Sequence, residues 1–166
     1  MKLLGDNILV KCGEVNYLYT KIGEKLATSQ FDIIDYKNER TLVKNPSGKY
    51  LIYVMSNGTS GSIITNEFDY IEMFDKYFVG ITNKKLNVYY YTNAKDPLLF
   101  EDINVSSNNT KSFTVEETTK GYVIKVTAGE NATVDYDFDK NWSKIGDEKE
   151  VETEDKKDGS KVENEE

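Results

Sequence analysis

A chain of 166 residues, 38% of them hydrophobic, is long enough to bury a core of its own, and no stretch approaches the apolar length of a membrane span. Its 29 acidic and 21 basic residues give a net charge of −8 with the lysines scattered among acids, which argues against phosphate neutralisation and hence against a nucleic-acid partner. The absence of histidine removes Ser-His and Cys-His catalysis and every histidine-containing metal site.

The charge is unevenly placed. Ten acids and five lysines lie between Lys144 and Glu166, so this stretch alone carries −5. Its larger apolar residues are only Ile145, Val151 and Val162, too few to offset the entropy of ordering. We therefore expect a body from residue 1 to 142 and a disordered acidic tail or linker from 143 to 166. The start, Met1 to Asp6, lacks the apolar run of a secretory signal. The single cysteine, Cys12, rules out an internal disulfide and, within an apolar strand, reads as packing. Asn-x-Ser/Thr triplets at Asn57, Asn104, Asn108, Asn131 and Asn141 would be glycan acceptors in a secreted protein of a glycosylating host.

The body repeats itself. Val10, Val43, Val79 and Val115 lie 33, 36 and 36 residues apart. Seven and nine residues after each comes a pair: Tyr17 and Tyr19, Tyr50 and Ile52, Leu86 and Val88, Tyr122 and Ile124. An aromatic–acid step follows in each copy, at Phe31-Asp32, Phe68-Asp69, Phe100-Glu101 and Phe138-Asp139. A period of about 35 residues marks units too small to bury their apolar faces alone.

In chain order, the first copy places a strand at residues 7–11, a turn over 12–16 and a returning strand at 17–20. The second places strands at 41–44 and 50–54 about Asn45-Pro46-Ser47-Gly48, whose Pro and Gly occupy the positions a turn favours. The third places strands at 77–81 and 86–92, and the fourth at 112–116 and 121–127. A Gly or its substitute follows each second strand (Gly23, Gly58, Ala94, Gly129), before a strand bearing the aromatic–acid step. Ile22 to Gln30 is the one run that could make a helical turn, without any positive signal for it. Twelve or so short Val-, Ile-, Tyr- and Thr-rich strands predict an all-β fold of four antiparallel repeats of about 35 residues, as a propeller-like ring or an open meander. The fixed offset predicts four hairpins of one geometry, with Tyr50 and Ile52 on one face and Leu51 and Tyr53 on the other. By the same alternation Leu86, Val88 and Tyr90 oppose Asn87, Tyr89 and Tyr91.

The run Gly48-Lys49-Tyr50-Leu51-Ile52-Tyr53, then Asn57-Gly58, Ile63-Ile64 and Phe68-Asp69-Tyr70-Ile71 before Phe74, resembles the bacterial WG-type β-repeat family. The Trp-Gly pair that names that family is replaced here by Tyr50-Leu51 and, in the first copy, by Tyr17-Leu18. The resemblance spans about residues 1–142 and implies a repeat module for binding or display, with no catalytic residue to carry over. The phase of the chain leaves two arrangements open: a piece of a longer array, or a ring in which the first strand completes the last unit.

Repetition without a catalytic group leads us to expect a non-catalytic binding or display module, part of a larger bacterial surface or repeat protein, with a protein or glycan partner. It would be secreted or at the cell surface as part of a longer chain, and cytoplasmic otherwise. Neither membrane insertion nor a cofactor is expected. The expected binding residues are Tyr53, Tyr89 and Tyr91, among twelve tyrosines, because equivalent outward rings could form an aromatic platform. The alternatives are a carboxylate-dependent glycoside hydrolase and a calcium-dependent module. Asp135, Asp137 and Asp139 have the spacing with which a calcium loop begins, but Lys140 and Gly146 stand where such a loop needs Gly and Glu. Strand alternation instead turns Val134, Tyr136 and Phe138 inward and the aspartates to water.

Overall fold

The computed structural model describes residues 1–56, 60–107, 112–128 and 132–146. Strands form wherever β-branched and aromatic residues run between turn signals. The chain is all-β: β1 (Lys2–Leu4), β2 (Asn7–Cys12), β3 (Val15–Tyr19), β4 (Lys25–Ser29), β5 (Asp32–Lys37), β6 (Arg40–Lys44), β7 (Tyr50–Ser56), β8 (Ser60–Ile63), β9 (Tyr70–Met73), β10 (Tyr77–Thr82), β11 (Lys85–Tyr90), β12 (Ile103–Asn104), β13 (Phe113–Glu117), β14 (Gly121–Ala128) and β15 (Ala132–Asp139). One 3-10 turn, Tyr91–Asn93, follows β11. The run considered for a helical turn contributes β4 instead. Among the described residues no helix is long and apolar enough to cross a membrane.

The strands form four antiparallel sheets in chain order, β1–β4, β5–β8, β9–β12 and β13–β15, each a simple meander. They stack face to face as successive layers. Leu9, Leu18 and Ala27 of the first layer meet Ile33, Val43 and Leu51 of the second. The opposite face of the second, with Leu42 and Ile52, meets Phe68, Ile71, Met73 and Phe78. Val79, Ile81, Leu86 and Val88 of the third then meet Phe113, Ile124, Val126 and Phe138 of the fourth. Among the described residues no apolar cluster joins the fourth layer to the first, and β1 pairs with β2 of its own sheet. The stack is therefore open, and the first strand does not complete the last unit.

Burial follows from this order. In the third layer β10 is buried from Tyr77 through Ile81, because both of its faces are covered. In the first layer β2 buries only Leu9 completely, because one face has no neighbour. The expected alternation holds in β7 and β11. Ile52 and partly buried Tyr50 belong to the cluster between the second and third layers, while Leu51 and Tyr53 belong to that between the first and second.

The uniform hairpin does not hold. Val10 pairs with Tyr17, Val43 with Leu51, Val79 with Val88 and Val115 with Ile124, so the offset grows along the chain. Loop length and the distance of each valine from its turn together set this, since Val10 and Val79 precede loops of equal length but stand two and three residues from the strand end. Gly13-Glu14 and Asn83-Lys84 close two-residue loops, whereas residues 45–49 make a longer loop in which Gly48 adopts φ +80° and its N–H donates to the Asn45 carbonyl at 2.9 Å. The register changes the face as well. Val43 and Val115 press backward onto the preceding layer, but Val79 points forward to the fourth.

The aromatic–acid step is not one structural element either. Phe68 lies outside the strands and bridges Tyr50, Phe138 belongs to β15, and Phe100 is fully exposed in the connection before β12. There Asn87, not the phenylalanine, holds the connection. Its amide accepts from Leu99 N–H at 3.0 Å and donates to Asp102 at 2.9 Å.

Regular pairing continues past residue 142. Lys144 bridges Phe138, and the Ile145 N–H donates to the Asp137 carbonyl at 2.8 Å, so backbone pairing reaches Ile145. Trp142 is buried against Tyr122 with ring centroids 4.1 Å apart. The remainder of the expected tail, 147–166, and the expected features at Asn57-Gly58, Asn108, Gly129 and Asn131 lie outside the described residues.

Candidate functional site

The three expected binding tyrosines do not form one platform. Tyr53 lies between the first and second layers, its ring 6.4 Å from that of Phe31. Tyr89 and Tyr91 lie between the second and third. Tyr89 stacks on Phe78 at 5.0 Å and meets the edge of Phe68 at 5.2 Å. Tyr91 is buried, with the Arg40 guanidinium 3.9 Å from its ring centre and its hydroxyl donating to the Phe74 carbonyl at 2.6 Å. Tyr53 and Tyr89 do face the same way within their layers. Face-to-face stacking nevertheless puts a whole sheet between them, where edge-to-edge continuation would have set them side by side. Burial raises all three phenols above their ordinary pKa, with the Asp102 charge adding to the rise at Tyr89.

Of the three, Tyr89 reaches an open cleft of about 400 Å³ that also takes in Lys85, Asn87 and Asp102. A second cleft, of about 540 Å³, opens between the turns of the first two layers and is lined by Lys11, Phe31, Asp32, Lys44 and Asn45. Both are shallow and walled mainly by polar residues.

The aspartate run is a strand. Asp135 pairs with Lys125, Asp137 with Val123 and Asp139 with Gly121. Asp135 and Asp137 point to solvent at alternate positions, while Asp139 closes a turn by accepting from Asn141 N–H at 2.8 Å and Ser143 N–H at 2.9 Å. Phe138 is buried and Tyr136 partly so, but Val134 is 41% exposed where the sheet ends. Among the described residues no cluster of three or more Asp, Glu or Cys could hold a metal ion.

Asp69 is a carboxylate engaged by two layers. It is buried, pairs with Lys49 from the second layer's turn, and accepts from the Asn83 N–H of the third layer's turn at 2.8 Å. The Lys49 hydrogen bond and then the Asn83 N–H hold its pKa below the ordinary carboxylate value, so it remains charged and ties two layers together.

The feature that composition and motif did not bring out is the uncovered face of the first layer. Cross-strand pairing places Leu3, Ile8, Tyr19 and Lys25 in one row, Val10, Tyr17 and Thr28 in the next, and Cys12 opposite Val15 in a third. Leu3 is 70% exposed, and the Tyr17 and Tyr19 rings stack 6.3 Å apart. Cys12 is exposed on this face, contrary to the packing role expected of it, because no layer lies beyond it. At the other end of the stack the outward rows of the fourth layer are polar: Thr114, Lys125 and Asp135, then Glu116, Val123 and Asp137, with Lys125 paired to Glu116 at 3.4 Å. The available signal was the phase of the repeat, since Val10 is the counterpart of valines that elsewhere contact a neighbouring layer.

No protein-family model matches the chain, and no curated protein matches it either.

Proposed function

We propose that this chain is a non-catalytic binding module that engages a protein partner through the uncovered face of its first layer. The observation that carries this reading is the contiguous row structure of Leu3, Ile8, Val10, Tyr17 and Tyr19, contrasted with the polar face at the opposite end. An apolar face rimmed by polar residues suits a protein interface, and tyrosine contributes contact area with few rotatable bonds. The lack of histidine and the resemblance to a display-type bacterial repeat agree with a module of a larger surface or repeat protein.

The cleft beside Tyr89 supports a second reading, a glycan site, because an aromatic ring there is flanked by Asn87, Asp102 and Lys85. Protein and polysaccharide arrays probed with dilute wild-type chain, Tyr19→Lys and Tyr89→Ser separate the two. A protein ligand lost only in Tyr19→Lys supports the first reading, and a glycan lost in Tyr89→Ser supports the second. Release of a cleaved glycan product would overturn the non-catalytic assignment.

A further inference from the structure

We infer that the occupant of the uncovered first-layer face is the same face of a second copy of this chain, packed head to head about a two-fold axis. This rests on the proposed reading of that face as the binding surface, and names the partner. Within the chain, the backward faces bearing Val43 and Val115 are each covered by the apolar face of a preceding sheet. The face bearing Val10 and Tyr17 has the same chemistry, so its complement is another apolar sheet face.

Among the described residues two outward sheet faces could supply one. The fourth layer's face would bring Glu116, Lys125, Asp135 and Asp137 against valine and tyrosine, desolvating four charges of which the Lys125–Glu116 pair accounts for only two. Such a head-to-tail contact would also repeat without closing. The first layer's own face suits itself. Its apolar rows carry a single charge, Lys25, at the edge strand, and a two-fold contact closes after two copies.

Size sets the strength. A four-stranded sheet with strands about 4.8 Å apart and rows spanning about 14 Å presents about 400 Å² with its side-chain margin, roughly half of what one partner gives to a standard interface. The pair is therefore weak and concentration-dependent. Each copy carries a net charge of −8, so salt should strengthen the association by screening repulsion, whereas an interface built on ion pairs would weaken.

Sedimentation equilibrium of the full chain from about 1 µM to about 1 mM tests this, a range suited to a weak pair. The expected result is a monomer–dimer equilibrium that tightens with salt. Tyr17→Lys should raise the dissociation constant about tenfold or more, since it places a charge in the buried row. Glu116→Lys, on the far face, should leave it unchanged. A wild-type chain that stays monomeric throughout, growth beyond two copies, or a dimer broken by Glu116→Lys and not by Tyr17→Lys would each overturn the inference. Should Tyr17→Lys fail to fold by circular dichroism, maleimide labelling of Cys12 in the wild type decides. A rate that falls as concentration rises supports the pair, and a constant rate refutes it. An array ligand sensitive to Tyr19→Lys on a strictly monomeric chain would sink the pair while leaving the binding face intact.

Discussion

Alanine at position 80 probes the contact between the second and third layers. Gly80 is buried in β10, and a Cβ built on it would lie 2.6 Å from two carbons of the Phe68 ring. Carbon–carbon contact is comfortable from about 3.5 Å, so the ring would have to withdraw by about 1 Å. It has little room. Phe78 and Tyr89 pack against it with centroids at 5.9 and 5.2 Å, and its backbone exchanges hydrogen bonds with Tyr50 at 2.8 and 3.1 Å. We therefore expect an overpacking cost of about 2 kcal/mol, reduced by about 0.5 kcal/mol because alanine lowers the entropy of the unfolded chain. Gly61→Ala is the control, since its nearest contact is the flexible Met55 side chain at 3.1 Å, and its net effect should be about 0.5 kcal/mol or less. Urea denaturation followed by fluorescence of Trp142, the single tryptophan and buried beside Tyr77 and Tyr122, reports the loss of packing. A double-mutant cycle assigns the cause: in a Phe68→Leu background the Gly80→Ala penalty should shrink by about 1 kcal/mol. A Gly80→Ala protein as stable as wild type, or a penalty unchanged by Phe68→Leu, would refute the packing of Phe68 on β10.

Asp69→Asn should cost about 1–2 kcal/mol by removing a charge-assisted link between the second and third layers. Because the folded pKa of Asp69 is depressed, its contribution is complete above the ordinary value of 3.8 and is lost as pH falls through the lower folded value; an acid titration in which Asp69→Asn and wild type differ equally at pH 7 and pH 2 would contradict this. Glu39→Gly should stabilise by about 0.5–1 kcal/mol, since Asn38 and Glu39 form a two-residue turn with φ of 49° and 65° and glycine meets that demand with less strain; a lowered melting midpoint would count against the turn. Tyr91→Phe should cost about 1 kcal/mol in urea denaturation, because the buried Phe74 carbonyl bond is lost while the ring packing is kept, and an unchanged midpoint would show that this hydrogen bond contributes nothing net.

Much of the fold was legible in the order of residues because strand formation, side-chain alternation and turn chemistry are local. Asn45-Pro46-Ser47-Gly48 makes the turn its residues demand, and the faces of β7 and β11 follow from period-two alternation. The exposed aspartates of β15 follow from the same rule. What local pattern could not supply was which face meets which neighbour. The spacing of the valines looked uniform, yet the valines stand at different distances from turns that themselves differ in length, so their pairing partners shift, and Val79 faces the fourth layer while Val43 and Val115 face back. Phe100 occupies its expected place in the repeat and still stands in solvent, because Asn87 organises its connection. The tyrosines were divided between two interlayer spaces by face-to-face stacking, a relation among residues distant in sequence. That no layer lies beyond the half-buried Val10, Tyr17 and Tyr19 was decided the same way. These residues are those of a core, and only the absence of a layer beyond them in the tertiary arrangement makes them a surface.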